Sequence, residues 1–235
     1  MKIKKCRIVN KNLKTIILFF FFLILPLASY SQKDVTQFLD IPVDGYKPEM
    51  LQKIKSKGFT ANRNKEDILN GEFNGTDVNI VIATNNNKVW RVAVLDANST
   101  DETNIKIRFN NLIKQFVNNE RYSKEADSTI AKYTIPKDEN ISYEITVNKK
   151  RYEAVFYQKS LKYDSLAKEN EILVAKEKLT DKEKERVGEL ILEMFRESMN
   201  SLNKQVWFMI SENYGKYSIV IYYDNEFNKA NGNGL

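Results

Sequence analysis

The sequence predicts an α+β protein made of two units, each a helix followed by an antiparallel meander, with a charged helical insert in the second unit. Apolar residues at three- and four-residue spacing indicate the helices, and strict apolar alternation indicates the strands. Asn-Gly and similar turn residues separate the strands at short intervals. The predicted segments are a signal peptide (1–31), a first unit (32–98) and a second unit (99–235) that contains the insert (159–204).

The N-terminus has the three parts of a secretory signal peptide. Six basic residues and no acidic ones lie within residues 2–14, and an unbroken apolar run follows at 16–25. That run is shorter than the roughly 20 apolar residues that a membrane-spanning helix needs. Ser29 and Ser31 supply the small residues of a cleavage site, so we expect cleavage between Ser31 and Gln32. An uncleaved N-terminal anchor is the alternative.

Cleavage at this point would remove the excess positive charge. The chain has 37 Lys plus Arg and 31 Asp plus Glu, and the six basic residues of the signal leave 31 of each. Nucleic-acid binding depends on clustered Lys and Arg, so we expect no nucleic-acid partner. We expect contact with the membrane only through the transient signal peptide, and a periplasmic or secreted protein.

Residues 32–235 contain neither Cys nor His, which limits the possible chemistry. Disulfides, Ser-His-Asp and Cys-His nucleophile pairs, and zinc sites of the usual Cys/His kind are excluded. The segment DANSTDE begins like a calcium loop, but Asp101 and Ile107 occupy the positions that require Gly and Glu. We therefore expect no catalytic, metal-binding or cofactor-binding residues.

The first unit begins with a short helix in FLDIPVDGYKPEMLQKIKSKGF, with Pro48 in its first turn and Gly58 after its end. Three or four antiparallel strands should follow between 59 and 96. Asn70-Gly71 and Asn74-Gly75 predict turns. KVWRVAVL places Trp90, Val92 and Val94 on one face of its strand.

The second unit begins with a helix whose apolar stripe runs from Ile105 to Phe116, capped by Ser99 and Glu102. ISYEITV alternates and predicts a strand over 141–147, which turns at Asn148-Lys149 into a second strand, KRYEAVFYQ. After the insert, QVWFMIS and KYSIVIYY predict a final hairpin.

The insert contains ten basic and ten acidic residues and predicts two helices with a solvated, ion-paired surface. Thr180 and Glu183 have the spacing of a capping box for the second helix. An apolar face on that helix predicts burial of Val187, Leu190, Ile191, Met194, Phe195 and Leu202.

The last three strands predict a sheet that is apolar on both faces. One face carries residues such as Phe156, Phe208 and Ile219, and the other carries Arg151, Val155, Tyr157, Trp207, Met209, Val220 and Tyr222. Because a sheet with one wet side should alternate more cleanly, something should cover the second face. We expect helix 181–203 to lay Leu190, Met194 and Phe195 against it. In the alternative, Arg151, Tyr157, Trp207, Met209 and Tyr222 form a partner-binding patch, since these residue types are enriched at interface cores.

Paired carboxylates could still support acid–base chemistry without His. Glu144 and Glu153 are the candidates, because they lie on adjacent predicted strands. They also alternate with apolar residues, as ordinary solvent-facing residues do.

Three segments carry a resemblance: FLDIPVDGYKPEMLQKIKSKGF, GEFNGTDVNI and NNNKVWRV. They resemble a group of uncharacterised exported proteins of Gram-negative bacteria, which implies an envelope location and no catalytic residues. The helix-then-meander plan is similar to the tandem units of the beta-lactamase inhibitor protein and of the small outer-membrane-assembly lipoprotein. This likeness of plan implies protein binding, although the lipid-bearing cysteine of that lipoprotein is absent here.

These observations predict an exported, non-enzymatic binding or inhibitor-like module. The alternatives are an envelope structural or assembly factor and a carboxylate-dependent hydrolase. The expected partner is an envelope protein, and the sequence does not specify the oligomeric state.

Overall fold

A computed structural model of the chain describes residues 34–230. The predicted signal peptide, residues 1–31, and the cleavage site between Ser31 and Gln32 lie outside the described residues. The described part of the chain is α+β, with six helices and nine strands. This class confirms the prediction from periodicity.

The strands form one small hairpin and one seven-stranded sheet. The hairpin pairs β1 (Gln37–Phe38) with β2 (Ile41–Pro42). The sheet contains β3 (Thr60–Ala61), β4 (Ile68–Phe73), β5 (Thr76–Asn85), β6 (Lys88–Asp96), β7 (Glu153–Tyr157), β8 (Gln205–Asn213) and β9 (Lys216–Asp224). Its order is β3-β4-β5-β6-β9-β8-β7, and all neighbours are antiparallel. Because β6 pairs with β9, both predicted units contribute to one sheet.

The helices are α1 (Lys47–Lys55), α2 (Glu102–Asn118), α3 (Asp127–Tyr133), α4 (Ile141–Thr146), α5 (Tyr163–Val174) and α6 (Asp181–Ser201). Helix α1 packs on β5 and β6, and α2 packs on β9. Both helices bury apolar side chains against one face of the sheet, including Met50, Ile54, Phe109 and Ile113. The hydrophobic core therefore lies between these helices and that face.

The first unit has the predicted order of elements, but one predicted turn is absent. Helix α1 and four following strands are present, Gly58 adopts φ 99° after the helix, and Asn74-Gly75 forms the turn between β4 and β5. Asn70-Gly71 does not form a turn, because both residues lie inside β4. A Cβ atom at Gly71 would lie 2.5 Å from the Phe59 ring. Glycine is therefore required there by the close approach of an aromatic ring and not by a turn.

Helix α2 is present as predicted, but its cap is different. The Asp101 carboxylate accepts a hydrogen bond from the Asn104 backbone N–H at 2.9 Å, so Asp101 and not Ser99 is the N-cap. The Glu102 carboxylate accepts instead from the backbone N–H of Ile141, at 2.8 Å. The predicted capping box was wrong because a second capping residue lies two positions further along the chain.

The predicted strand over 141–147 was wrong, because residues 141–146 form helix α4. The alternating pattern of ISYEITV also places Ile141 and Ile145 four residues apart, on one face of a helix. Ile141 is fully buried and Ile145 packs against the core. The Asn140 side chain caps this helix by accepting from the backbone N–H of Tyr143, at 2.9 Å. Local capping and two buried contacts therefore favour a helix over a strand.

The insert forms two helices, α5 and α6, and the predicted capping box at Thr180 and Glu183 is confirmed. The predicted packing of α6 is wrong. Helix α6 packs along α5, and of the predicted apolar face only Leu190 is buried, while the Phe195 side chain is 64% exposed. No side chain of α5 or α6 belongs to the hydrophobic core.

The connection between α6 and β8 explains why α6 packs along α5 and not on the sheet. Lys204 is 1% exposed, and its ammonium group donates to the Asp34 carboxylate at 2.6 Å and to the Lys159 carbonyl at 2.7 Å. The Lys204 carbonyl accepts from the Gln158 backbone N–H at 3.0 Å. We call the pair of helices α5 and α6 the helical hairpin. The buried junction lies only three residues beyond Ser201, so it fixes the direction in which the helical hairpin leaves the sheet.

Candidate functional site

The second face of the sheet carries a continuous apolar and aromatic surface. One row of directly opposed residues crosses five strands and consists of Val81, Ala93, Tyr222, Trp207 and Val155. A second row places Leu95, Val220 and Met209 side by side. We define the open face as the side chains of these two rows together with Tyr157 on β7.

The aromatic side chains at its centre are stacked. The rings of Trp207 and Tyr222 lie 4.3 Å apart at an interplanar angle of 29°. The Arg91 guanidinium lies over the Tyr222 ring at 4.4 Å and near the Trp207 ring at 5.3 Å. A cation over aromatic faces adds electrostatic attraction to the stacking. The three side chains therefore form one ordered cluster.

The buried Asp224 carboxylate holds two side chains of this cluster by hydrogen bonds. It accepts two hydrogen bonds from the Arg91 guanidinium, each at 2.6 Å, and a third from the Trp207 indole N–H at 3.0 Å. Asp224 is 1% exposed. The bidentate ion pair satisfies the buried carboxylate and holds the guanidinium in one orientation. The polar atoms beneath the stacked rings are therefore already paired within the chain.

An irregularity in β6 places Arg91 in this cluster. The register shifts at Ala83 and Thr84, so that Thr84 faces Val89 while Ala83 faces Arg91. Trp90 is the extra residue of this bulge and is partly exposed, whereas Val89 is buried. The predicted placement of Trp90 with Val92 and Val94 was therefore wrong. Strict alternation across a bulge cannot give the correct face.

The structure brings most of the predicted binding residues together. Trp207 faces Tyr222, Met209 lies in the next row, and Tyr157 lies opposite Gln205 at the β7 edge of the open face. Arg151 lies before β7 and is exposed, with its guanidinium 3.1 Å from the Glu153 carboxylate. Sequence reasoning missed Arg91 and Asp224. The available signal was a charged residue inside KVWRVAVLD and another at the end of KYSIVIYYD, but only the β6–β9 pairing shows that the two meet.

The helices that pack on the sheet do not cover the open face. Helices α1 and α2 bury the opposite face, while Trp207, Met209, Tyr222 and Val155 remain partly exposed. Five strands and two to three rows of residues span about 20 Å by about 20 Å, or about 400 Å² in plan. Apolar patches of this size on soluble proteins are often interaction sites.

A second exposed apolar surface lies on α6. Ile191, Leu192, Phe195, Met199 and Leu202 are 49–64% exposed, and their spacing places them on one side of the helix. Gly188 lies on the same side and is exposed. We define this set as the α6 stripe. Leu190 is buried on the other side of the helix, towards α5.

A cleft of about 610 Å³ lies on the helix-covered face, between the β1–β2 hairpin, β4 and α2. Its walls include Leu39, Phe73, Leu112, Phe116 and Tyr223. Side-chain bonds cross it at two points, from Asn74 to Gln115 at 2.8 Å and from Arg121 to Asp40. The Arg121 hydrogen bond lowers the pKa of the Asp40 carboxyl, which favours its charged form. The cleft offers apolar walls and bridged polar groups, and the lowered pKa of Asp40 does not favour the protonated form that a general acid needs.

The carboxylates considered for catalysis do not form the predicted arrangement. Glu144 lies in α4, where it accepts a hydrogen bond from the Asn148 amide at 3.0 Å, and Glu153 lies in β7 beside Arg151. The two acids are therefore not on adjacent strands. Within residues 34–230, no group of three or more acidic, His or Cys side chains is placed to hold a metal ion.

Comparison of the chain with protein-family models, with curated proteins and with solved structures found no match. Among the helices described, none is long and apolar enough to cross a membrane.

Proposed function

We propose that this chain is an exported, non-enzymatic binding module whose open face docks against a protein. One observation carries the proposal. A surface of about 400 Å², centred on the Trp207–Tyr222 stack, crosses five strands and has no helix of the described chain packed on it.

The ordered aromatic cluster favours binding to a protein surface. Trp, Tyr, Met and Arg are enriched at interface cores, and a few such residues supply most of the binding free energy. Side chains that are already held in place lose little conformational freedom when a partner arrives. Because Asp224 fixes both Arg91 and Trp207, the cluster is ordered before binding.

The charges of the open face favour an apolar, uncharged partner surface. Arg91 is paired with Asp224, and at the β7 edge Arg151 is paired with Glu153. A surface whose charges are internally compensated attracts neither phosphate nor strongly acidic proteins. Association should therefore depend little on salt concentration, because burial of apolar area and not charge attraction drives it.

Site-specific photocrosslinking tests the proposal in cells. Met209 is replaced by the photoreactive residue p-benzoylphenylalanine, and the exposed α1 residue Lys53 is replaced in the same way as a control. We expect a covalent adduct with a protein from position 209 and none from position 53. Stable, exported protein that gives no protein adduct from position 209 would overturn the proposal.

The export part of the proposal rests on the basic head, the short apolar run and the Ser29/Ser31 spacing. Intact-mass measurement of the exported protein should give a chain that begins at Gln32. Retention of residues 1–31 in the membrane fraction would contradict cleavage and support the uncleaved anchor.

A further inference from the structure

The chain has two apolar surfaces that its own fold leaves uncovered, the open face and the α6 stripe. The stripe is not a minor feature, because Phe195 at its centre is 64% exposed and Leu192 is similarly exposed. On a helix whose other side packs on α5, such a stripe is typical of an element that packs on something further.

The stripe cannot reach the open face of its own chain without breaking buried bonds. Lys204 joins α6 to β8 and is held by Asp34 and the Lys159 carbonyl. The Ser160 hydroxyl donates to the Glu197 carboxylate, and the Leu161 backbone N–H donates to Asp34 at 2.9 Å. These contacts fix both ends of the hairpin at its base. Folding α6 back over Trp207 would require the Lys204 junction to open.

We infer that the partner of the open face is a second copy of this chain, with the α6 stripe of each copy packed on the open face of the other. This inference rests on the proposed function, since it names the protein that docks on that face. The two surfaces are adjacent along the chain at one point, because Leu202 ends the stripe and Trp207 of the open face follows only a few residues later. A reciprocal exchange then forms one continuous interface with two-fold symmetry, which closes without leaving either surface free.

The dimensions of the two surfaces match. The stripe from Gly188 to Leu202 is about 21 Å long at 1.5 Å per residue. The five strands of the open face span about 20 Å. Gly188 lacks a side chain at the end of the stripe that lies furthest from the β8 junction, and nothing lies within 4 Å of a Cβ built on it. The backbone of α6 can therefore approach a flat surface closely at this point.

The buried area is large enough for a specific dimer interface only if both the open face and the α6 stripe are used. The open face offers about 400 Å² in plan, about half of the ~800 Å² that each partner buries in a standard interface. A helix stripe about 21 Å long and about 10 Å wide adds about 200 Å² in plan. Each copy in a reciprocal pair contributes both surfaces, at most about 600 Å² in plan, so the two copies together reach about 1,200 Å², the lower end of the range for specific interfaces. A partner that covered only the open face would bury less and leave Phe195 exposed.

Two single substitutions test the pairing. Phe195→Glu places a charge in the stripe, and Met209→Lys places one in the open face. The control is Ile107→Glu, which changes an apolar residue on α2 that is 55% exposed, close to the 64% of Phe195. We expect the unaltered chain and the control to be dimers by light scattering at tens of micromolar. Each of the two test variants should weaken the dimer by at least about 100-fold. If Met209→Lys does not fold, Val155→Lys, near the sheet edge, replaces it.

Mixing the two variants separates a reciprocal exchange from any other dimer. Phe195→Glu keeps an intact open face and Met209→Lys keeps an intact stripe, so a mixture restores one of the two contacts. We expect heterodimers in the mixture at concentrations at which each variant alone is monomeric. Contacts of stripe with stripe, or of face with face, would not be restored by mixing, and that result would overturn the inference.

The two proposals can fail separately. A monomeric chain at high concentration, or a dimer that survives Phe195→Glu, overturns the second-copy inference. A photocrosslinked adduct from position 209 with a different protein overturns it as well, but supports the proposed function. An adduct of twice the mass of the chain supports both. Absence of any protein adduct overturns both.

Discussion

At the scale of single residues, the turn between β8 and β9 contains a residue, Tyr214, with an unfavourable backbone conformation. Tyr214 adopts φ 51° and Gly215 adopts φ 73°, almost the same values as Asn74 and Gly75 in the turn between β4 and β5. Residues other than Gly, Asn and Asp are disfavoured in this region because Cβ approaches the carbonyl oxygen. Tyr214 is 97% exposed, so little packing offsets this cost.

Tyr214→Asn should therefore stabilise the protein by about 1 kcal/mol, because Asn-Gly is the preferred pair for a two-residue turn of this type. Urea denaturation measures the change as a shift of the midpoint. Tyr214→Ala is the control, since it removes the ring but keeps the unfavourable φ. An equal gain from both substitutions would show that backbone strain is not the cause.

Glu183 provides a residue-scale test that depends on pH. Hydrogen bonds from Lys176 and from the Thr180 backbone and hydroxyl lower the pKa of Glu183 from 4.5 to about 2. Because the folded-state pKa is depressed, the stabilising contribution of the ionised cap is present above pH 4.5 and is lost as the pH falls towards 2. The start of α6 should fray in that window.

Thr180→Ala removes one donor and should raise the pKa of Glu183 towards its ordinary value. Carboxyl chemical shifts recorded by NMR as a function of pH report this directly. The Glu169 carboxyl, whose pKa is lowered by Arg186, is the internal control and should titrate unchanged. A Glu183 midpoint near 4.5 in the unaltered protein would show that the capping box is not formed in solution.

At the scale of elements, the junction between α6 and β8 is held by a buried lysine, Lys204, with two hydrogen-bond acceptors. Lys204→Met leaves the Asp34 carboxylate without its cation and the Lys159 carbonyl without its donor. Removing one partner of a buried pair usually costs about 3 kcal/mol or more. Lys47→Met is the matched control, because its partner Asp67 is 73% exposed and such pairs contribute about 1 kcal/mol or less.

Urea denaturation of the two variants gives the comparison. An equal loss in the free energy of unfolding for Lys204→Met and Lys47→Met would show that the Lys204 junction does not hold α6 in place. The hairpin could then swing back towards its own sheet, which would also remove one argument for a second copy.

Several elements were predictable from the sequence because their determinants are local. The capping box at Thr180 and Glu183 and the turn at Asn74-Gly75 each depend on a few neighbouring residues. The strand predicted over 141–147 failed because Ile141 and Ile145 fit two periodicities, and the core contact that decides between them is distant in sequence. The turn predicted at Asn70-Gly71 failed for a related reason, since the nearby ring of Phe59, and not a turn, makes glycine necessary at position 71.

The candidate site was predictable only in part. Trp207, Met209 and Tyr222 alternate on adjacent hairpin strands, so their common face follows from the sequence. Arg91 and Asp224 are 133 residues apart and meet only through the β6–β9 pairing. The direction of α6 depends on Lys204 and Asp34, which are 170 residues apart. An apolar helix stripe shows that a surface needs a partner, but it does not show which one.

At the scale of the whole molecule, the helical hairpin is separable from the core. No side chain of α5 or α6 belongs to the hydrophobic core, and the Lys204 ammonium group at the junction donates to Asp34 and to the Lys159 carbonyl, both outside the two helices. Replacing residues 163–201 by a short Gly/Ser linker should therefore leave cooperative unfolding intact.

Denaturation followed by two probes tests this expectation, because coincident transitions indicate a single cooperative unit. Light scattering of the same shortened chain should show a monomer. Loss of cooperativity would mean that the hairpin supports the sheet after all. Ile107→Glu, made in the shortened chain, controls for nonspecific changes in solubility.

The position of β9 also determines when the seven-stranded sheet can form during synthesis. This strand joins β3–β6 to β7 and β8, yet it comes last in chain order among the strands of residues 34–230. Until residue 224 is available, β6 and β8 each present an open edge, and such edges are prone to pair with other chains. A chain that ends before residue 216 should therefore aggregate or be degraded, as pulse proteolysis of truncated chains would show. Strand β9 thus acts as a check on synthesis, because only a chain that extends through residue 224 can close the sheet.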